Sequence, residues 1–241
     1  MGGWPVLTGK LSYLLQLKTV TSLLHARPDR DQNLVQILDA ALADATRRSG
    51  HFLVCRPGCT QCCIGVFAIN QLDASRLQEG LANLTQADPA RAARVRQRAQ
   101  ASIVKISPDF PGDLATGLLC ESKRAQRKFE DFANDEPCPA LDPTIGTCDL
   151  YAHRPMTCRV FGPPVRTGVP SENQGGNGRS VEESGLGICE LCFHGATDAQ
   201  IAACEMQVDP DGLEPALLGE VESVSGLKGR TIVAFALVQA E

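Results

Sequence analysis

The sequence predicts a mainly α protein in which helices surround a long, irregular, cysteine-rich region that binds metal. Apolar residues recur at helical spacing in several segments, for example at Leu34, Leu38 and Leu42. Eleven cysteines, most of them in stretches that contain Pro and Gly and lack periodicity, interrupt those segments. With 241 residues, of which 43 % are hydrophobic, the chain is long enough to bury a core of its own.

The predicted helices are spread along the whole chain. The first lies in the apolar residues 8–25, and the second begins at Asp31 and ends at Gly50, a typical stop. Later segments with helical spacing are 73–84, 88–105, 118–134 and a short helix from Asp198. The basic residues of the 88–105 segment are assigned to a solvated face: Arg91, Arg94, Arg98 and Lys105. Residues 231–238 fit a strand or a helix equally well, because so short an apolar run has no distinctive period.

Four segments follow from these patterns. Residues 1–50 form an N-terminal helical segment, and residues 51–165 form a cysteine-cluster metal-binding domain. Residues 166–188, rich in Gly, Ser, Asn and Glu, are expected to be a flexible linker. Residues 189–241 form a C-terminal extension, which we expect to pack on the same domain.

Composition excludes several classes of protein. A net charge of −5 argues against a nucleic-acid binder, which usually carries a basic excess. No apolar run approaches the roughly 18 residues of a spanning helix, and the N terminus does not resemble a secretory signal, so no membrane partner is expected. The predicted location is the cytoplasm, where clustered cysteines bind metal or react more often than they form disulfides.

The cysteines fall into three groups along the chain. The first is a tight loop at residues 55–63, the second spreads over 138–158, and the third is a plain C-x2-C. The predicted metal ligands are Cys55, Cys59, Cys62, Cys63, Cys138, Cys148, Cys158, Cys189 and Cys192. Because neighbouring side chains diverge, Cys62 and Cys63 are expected to serve different metal atoms. Cys120 and Cys204 are interpreted as small buried hydrophobic residues.

The stretch from Cys55 to Phe161 resembles the cysteine-cluster (CxxCxxCC) family, described as a zinc- or iron-chelating domain. That family combines a C-x2-3-C-x2-C-C cluster with Cys-Pro, Gly-x-Cys and Tyr-x-x-Arg-Pro-x-x-Cys-Arg. The matching residues are Cys55, Cys59, Cys62, Cys63, Cys138-Pro139, Gly146-Thr147-Cys148 and Tyr151 to Arg159. Some members are lysine N-methylases that act on flagellin. The resemblance therefore implies an alternative function, protein methylation with S-adenosylmethionine as cofactor.

The identity of the metal stays open between an iron–sulfur cluster, of the 4Fe-4S type, and zinc. The nine clustered cysteines supply enough thiolates for two sites of four, with one left over, and their Cys-, Pro- and Gly-rich loops favour iron–sulfur. Cys55, Cys59 and Cys62 also have the C-x3-C-x2-C spacing of radical S-adenosylmethionine enzymes. Those enzymes have a barrel of alternating strands and helices, and the chain lacks that alternation, which argues against this class.

Two arginines beside Cys158 are predicted to support the centre. Arg154 and Arg159 flank this cysteine, and we expect them to hydrogen-bond thiolate sulfurs or nearby carbonyls and to balance the negative charge. The protein is thus predicted to be either a binding or electron-transfer module or, in the alternative, a methyltransferase with a protein substrate. A structural zinc module is the remaining possibility.

Overall fold

The prediction of a mainly α protein is confirmed by the computed structural model, which describes residues 9–167, 185–209 and 211–239. The helices are α1 (Gly9–Ser49), α2 (Gln71–Ala87), α3 (Pro89–Ile106), α4 (Lys123–Glu130), α5 (Met156–Val160), α6 (Asp198–Ala203), α7 (Leu213–Ser225) and α8 (Val233–Val238). The two helices predicted before Gly50 form one continuous helix, α1, which passes through Pro28.

Strands in the described residues are short and pair two by two. They are β1 (Ala68–Ile69), β2 (Gly112–Asp113), β3 (Leu118–Leu119), β4 (Leu141–Asp142), β5 (Thr147–Cys148), β6 (Val165–Thr167), β7 (Gly185–Gly187) and β8 (Thr231–Ile232). All four pairs are antiparallel: β1 with β8, β2 with β3, β4 with β5 and β6 with β7. The segment 231–238, left open by its period, is therefore a short strand followed by a helix.

Helices α2 and α3 begin where side chains satisfy the free N–H groups of their first turns. The Asn70 side chain accepts a hydrogen bond from Asp73 N at 2.9 Å, and Asp88 accepts one from Arg91 N at 3.0 Å. Asp88 also ends α2, and Pro89 occupies the first turn of α3, where its missing N–H costs nothing. These caps explain why both helices lie close to their predicted ranges.

The predicted helix 118–134 is wrong in its first third. Leu118 and Leu119 belong to strand β3, which pairs with β2, and helix α4 starts only after Ser122. The Ser122 hydroxyl accepts a hydrogen bond from Ala125 N at 3.3 Å and so fixes the new start. Cys120 consequently lies outside the helix and is exposed, which corrects its interpretation as a buried hydrophobic residue.

Two apolar clusters carry the cysteine region. In one, Leu77 of α2, Val95 of α3 and Leu237 of α8 are almost completely buried, and Cys138 and Cys148 pack against them. The other joins the C-terminal half of α1 to α7 and includes Met156, two residues before Cys158. The cysteine-bearing segments are therefore attached to the helical core at several points along the chain.

The expected flexible linker, 166–188, lies mostly outside the described residues. Its described ends are strands β6 and β7, in which Val165 faces Gly187. Met206 N adds a hydrogen bond of 2.7 Å to Pro164 O. These contacts hold the Cys189–Cys192 segment beside the chain that follows Cys158.

The subdivision into four segments stays a prediction. In the described part of the chain, no helix is both long and apolar enough to cross a membrane.

Candidate metal centres

The cysteine loop 55–63 consists of two consecutive turns, and each turn carries two cysteines. Cys59 N donates to Arg56 O at 3.0 Å, and Gly58 takes the left-handed conformation (φ 87°) that the first turn requires. Cys63 N donates to Thr60 O at 2.8 Å, which closes the second turn. The four cysteines of this loop are thus divided between two turns within nine residues of chain.

The first turn faces the C-x2-C segment. The Sγ atoms of Cys55, Cys189 and Cys192 all lie within 4.8 Å of one another, and those of Cys55 and Cys192 are 3.9 Å apart. Cys192 N donates to Cys189 O at 2.8 Å, so that this pair also sits on a tight turn. We call this set, together with Cys59, the first group.

The first group lies against a small apolar cluster. Cys189 and Cys192 are buried, as is Cys204, and the rings of Phe52 and Phe193 stack with centroids 5.8 Å apart. Phe193 N donates to Phe52 O at 2.8 Å and ties the two segments together. The interpretation of Cys204 as a buried hydrophobic residue fits this position.

Two thiols of the first group have raised pKa values. Partial burial of the sulfur, followed by the charges of Cys192 and Cys189, raises the pKa of Cys55 to about 12. Burial likewise raises the pKa of Cys189, with contributions from Cys192 and Cys59. The charge of Cys59 contributes to both shifts, although its sulfur lies outside the compact set formed by Cys55, Cys189 and Cys192. A bound cation would reverse the shifts, because thiolates are the form that binds metal.

The second turn of the loop faces three other cysteines. Cys138 N donates to Cys63 O at 2.8 Å, and Cys148 lies opposite Leu141 in the β4–β5 hairpin. Cys158 is on α5. We call Cys62, Cys63, Cys138, Cys148 and Cys158 the second group.

The electrostatics of the second group show the same mutual influence. Burial, and then the charges of Cys138, Cys148 and Cys62, raises the pKa of Cys158. Burial raises the pKa of Cys138 to about 12. A hydrogen bond from the Cys63 thiol lowers the pKa of Cys62 to about 6 and raises that of Cys63. The thiols of Cys62 and Cys63 are therefore in direct contact. That they serve different metal atoms stays a prediction.

A buried carboxylate, Asp149, fixes the hairpin that carries Cys148. Its side chain is fully inaccessible to solvent and forms ion pairs with Arg91 and Arg98, the second at 2.5 Å. Arg98 also donates to Pro139 O at 2.8 Å. The basic side of α3 is thus in part a binding surface for the cysteine region, where the sequence had suggested a solvated face.

Two further carboxylates hold the segment around Cys158. Asp73, on α2, accepts hydrogen bonds from Met156 N at 2.9 Å and from Arg76 at 2.7 Å. Asp39, on α1, accepts hydrogen bonds from both predicted supporting arginines: from Arg154 at 3.4 Å and from Arg159 at 3.1 Å. Arg154 also donates to the Tyr151 carbonyl at 3.0 Å, and Arg159 to the Ala152 carbonyl. Within the described residues, the hydrogen bonds of both guanidinium groups therefore go to carbonyls and a carboxylate.

Sequence reasoning missed Asp39, Asp73 and Asp149. Carboxylates are usually exposed, and nothing in the spacing of these three distinguishes them from the others. The position of Asp149 directly after Cys148 is the only local signal. Asp39 and Asp149 depend on arginines that are distant in sequence, and Asp73 depends on the distant Met156 N–H; the fold alone brings these groups close.

Cavities adjoin both groups. One of about 460 Å³ lies between them and is lined by Cys62 and Cys158 on one side and by Cys189 and Glu190 on the other. A larger cleft of about 930 Å³ begins at Cys189 and runs along Met156 toward Glu214. The first is lined by two members of the second group, and the larger one has the size of a small-molecule site.

The chain matches a known protein family. Residues 54–173 fit the CxxCxxCC family, whose description reads "Putative zinc- or iron-chelating domain". Seven of the nine predicted ligands fall inside that range, and Cys189 and Cys192 lie beyond it. No curated protein and no solved structure matches the chain at a significant level.

Proposed function

Over residues 54–173 the chain belongs to the CxxCxxCC family of zinc- or iron-chelating domains, and we propose that its second cysteine group holds an iron–sulfur cluster. Metal binding itself follows from the family and from the compact set of cysteine sulfurs. The observation that carries the proposal is the convergence of five cysteines from three chain segments on one place beside a cavity.

The spacing of the sulfurs supports a cluster at this group. Four thiolates on one zinc ion stand about 3.8 Å apart, given Zn–S bonds of about 2.3 Å and tetrahedral angles. In a four-iron cluster each thiolate binds a different iron, so the sulfurs stand farther apart, at roughly 6 Å. Among the described residues, the compact triple of donor atoms is that of the first group, and no triple within the second group is equally compact.

The proposed ligands are Cys138, Cys148, Cys158 and one member of the adjacent pair Cys62 and Cys63. A bound cluster supplies one-electron chemistry, and the chain positions its ligands through the buried carboxylates described above. The proposed role is that of a binding or electron-transfer module with a protein partner. Eleven cysteines without a disulfide support the cytoplasm as its compartment.

Iron and acid-labile sulfide analysis of protein purified without oxygen tests the proposal. We expect brown protein with about four irons and four sulfides per chain. Cys158→Ser should lose both, whereas Cys120→Ser, which replaces an exposed cysteine outside both groups, should keep both. Colourless wild-type protein that contains zinc and no sulfide would refute the cluster.

A second candidate function is protein methylation with S-adenosylmethionine, which the family resemblance implies. The observation in its favour is the cleft of about 930 Å³ beside Cys189, because small-molecule sites occupy about 300–1,000 Å³. Titration calorimetry with S-adenosylmethionine on the metal-loaded full chain tests it. Saturable binding that a bulky substitution in the cleft, such as Gly187→Trp, abolishes would support the candidate. The absence of any heat of binding would exclude it.

A further inference from the structure

We propose that the first group, Cys55, Cys59, Cys189 and Cys192, is a separate mononuclear zinc site that joins the family domain to the chain beyond it. This site goes beyond the cluster proposed above and does not depend on the cluster's identity. It also divides the family's cysteine motif between two centres, since Cys55 and Cys59 bind one metal and the following pair faces the other.

The distances between sulfurs fit one metal ion. The Cys55 and Cys192 sulfurs are 3.9 Å apart, close to the value of about 3.8 Å for two thiolates on one tetrahedral zinc. The third sulfur, that of Cys189, lies within 4.8 Å of both. Three donors in this arrangement leave the fourth corner of a tetrahedron to be filled.

Cys59 is the residue that supplies the fourth corner. It is four residues from Cys55, at the end of the turn that the hydrogen bond from Cys59 N to Arg56 O closes. Its sulfur lies outside the compact set of three, so that it completes the site by turning toward the bound ion. Paired turns of the C-x3-C and C-x2-C type are the usual way in which two chain segments hold one zinc. Cys204 is buried in the same apolar cluster but sits after α6, outside either turn.

Direct contacts already join the two segments where the metal would bind. Phe193 N donates to Phe52 O at 2.8 Å, and the side chains of Gln61 and Glu190 hydrogen-bond to each other. Four protein thiolates leave no open position on zinc, so the site is closed and structural. Zinc therefore acts as a structural cross-link between the segment around Cys192 and the loop 55–63.

The test measures zinc, iron and sulfide together in the full chain and in single variants. We expect about one zinc per wild-type chain, and zinc K-edge X-ray absorption should show four sulfur neighbours at about 2.3 Å. Cys192→Ser and Cys59→Ser should lose zinc and keep iron and sulfide, while Cys158→Ser should do the reverse. Cys204→Ser is the matched control, because it also replaces a buried cysteine in the same apolar cluster and should keep zinc.

A conservative variant keeps the proposal testable if a serine variant does not fold. Cys55 is exposed, so Cys55→His has room for the ring and should keep zinc with three sulfur neighbours and one nitrogen. Four sulfurs in this variant, full zinc in Cys192→Ser, or equal zinc loss in Cys204→Ser would each overturn the proposal. Wild-type protein with zinc and no iron would refute only the proposed cluster. Wild-type protein with iron and no zinc would refute only the proposed zinc site.

Discussion

Replacing Asp149 by asparagine should destabilise the protein strongly for a single-atom change. The carboxylate is fully buried and accepts charge-assisted hydrogen bonds from Arg91 and Arg98. Such bonds are worth about 1.5–3 kcal/mol each, but both guanidinium groups are partly exposed and regain water when the charge is removed. We therefore expect a loss of about 2–3 kcal/mol, which corresponds to a fall in Tm of roughly 5–10 °C for a chain of this size.

Thermal unfolding of the metal-free protein measures this effect, and Asp142→Asn is the matched control. Asp142 lies in the same hairpin and accepts hydrogen bonds from Thr144 N at 2.8 Å and Ile145 N at 3.3 Å, which an asparagine can also accept. The control should change stability by no more than about 0.5 kcal/mol. Asp149→Asn should also lower the iron content, because the ion pairs hold the hairpin of Cys148. A Tm within 1–2 °C of the control, at about 0.5 kcal/mol, would show that the ion pairs do not stabilise this hairpin.

Two further predictions concern pH and packing. Above pH 9 or so the metal-free protein should lose stability, because burial raises the pKa of Cys138 to about 12 and the folded state keeps a proton that the unfolded chain releases. The loaded protein should instead gain stability as the pH rises from about 5 to 8, since its ligands bind as thiolates. Urea midpoints of both forms, measured across pH, test these trends. The reasoning would be contradicted if the midpoint of the metal-free protein did not fall above about pH 9, or if that of the loaded protein did not rise between about pH 5 and 8. Gly80→Ala should destabilise by about 1–3 kcal/mol because a Cβ there would lie 2.6 Å from the Cβ of His153. The control Gly219→Ala, on an open helix surface, should stabilise by roughly 0.5–1 kcal/mol in the same urea titration, and an equal effect at both glycines would refute the packing argument.

The sequence predicts local structure well wherever a side chain next to an element fixes its end. Asp88 and Pro89 mark the boundary between α2 and α3, and the structure places both helices there. The failure at residues 118–134 has the opposite cause. Leu118 and Leu119 have good helix propensity, but their pairing with β2 depends on residues several positions away and overrides that propensity.

The candidate ligands can be identified from the sequence, whereas their division into two groups cannot. Spacing suggests that the loop 55–63 wraps one metal, yet its first turn faces Cys192 and its second faces Cys138. The separation of Cys189 and Cys192 from the other cysteines removes any constraint that spacing could provide. The β6–β7 pairing restores that constraint in the folded chain, and only the fold contains it.

The shared loop 55–63 has a consequence for the order in which the protein is made. All proposed ligands of the second group have been synthesised once the chain reaches Cys158, whereas the first group stays incomplete until Cys192 follows. During that interval the thiols of Cys55 and Cys59 have no partners and lie within a few residues of those that complete the other centre. Under the two proposals, the second group can therefore bind its cofactor first, and the first group is completed only when the C-x2-C segment follows.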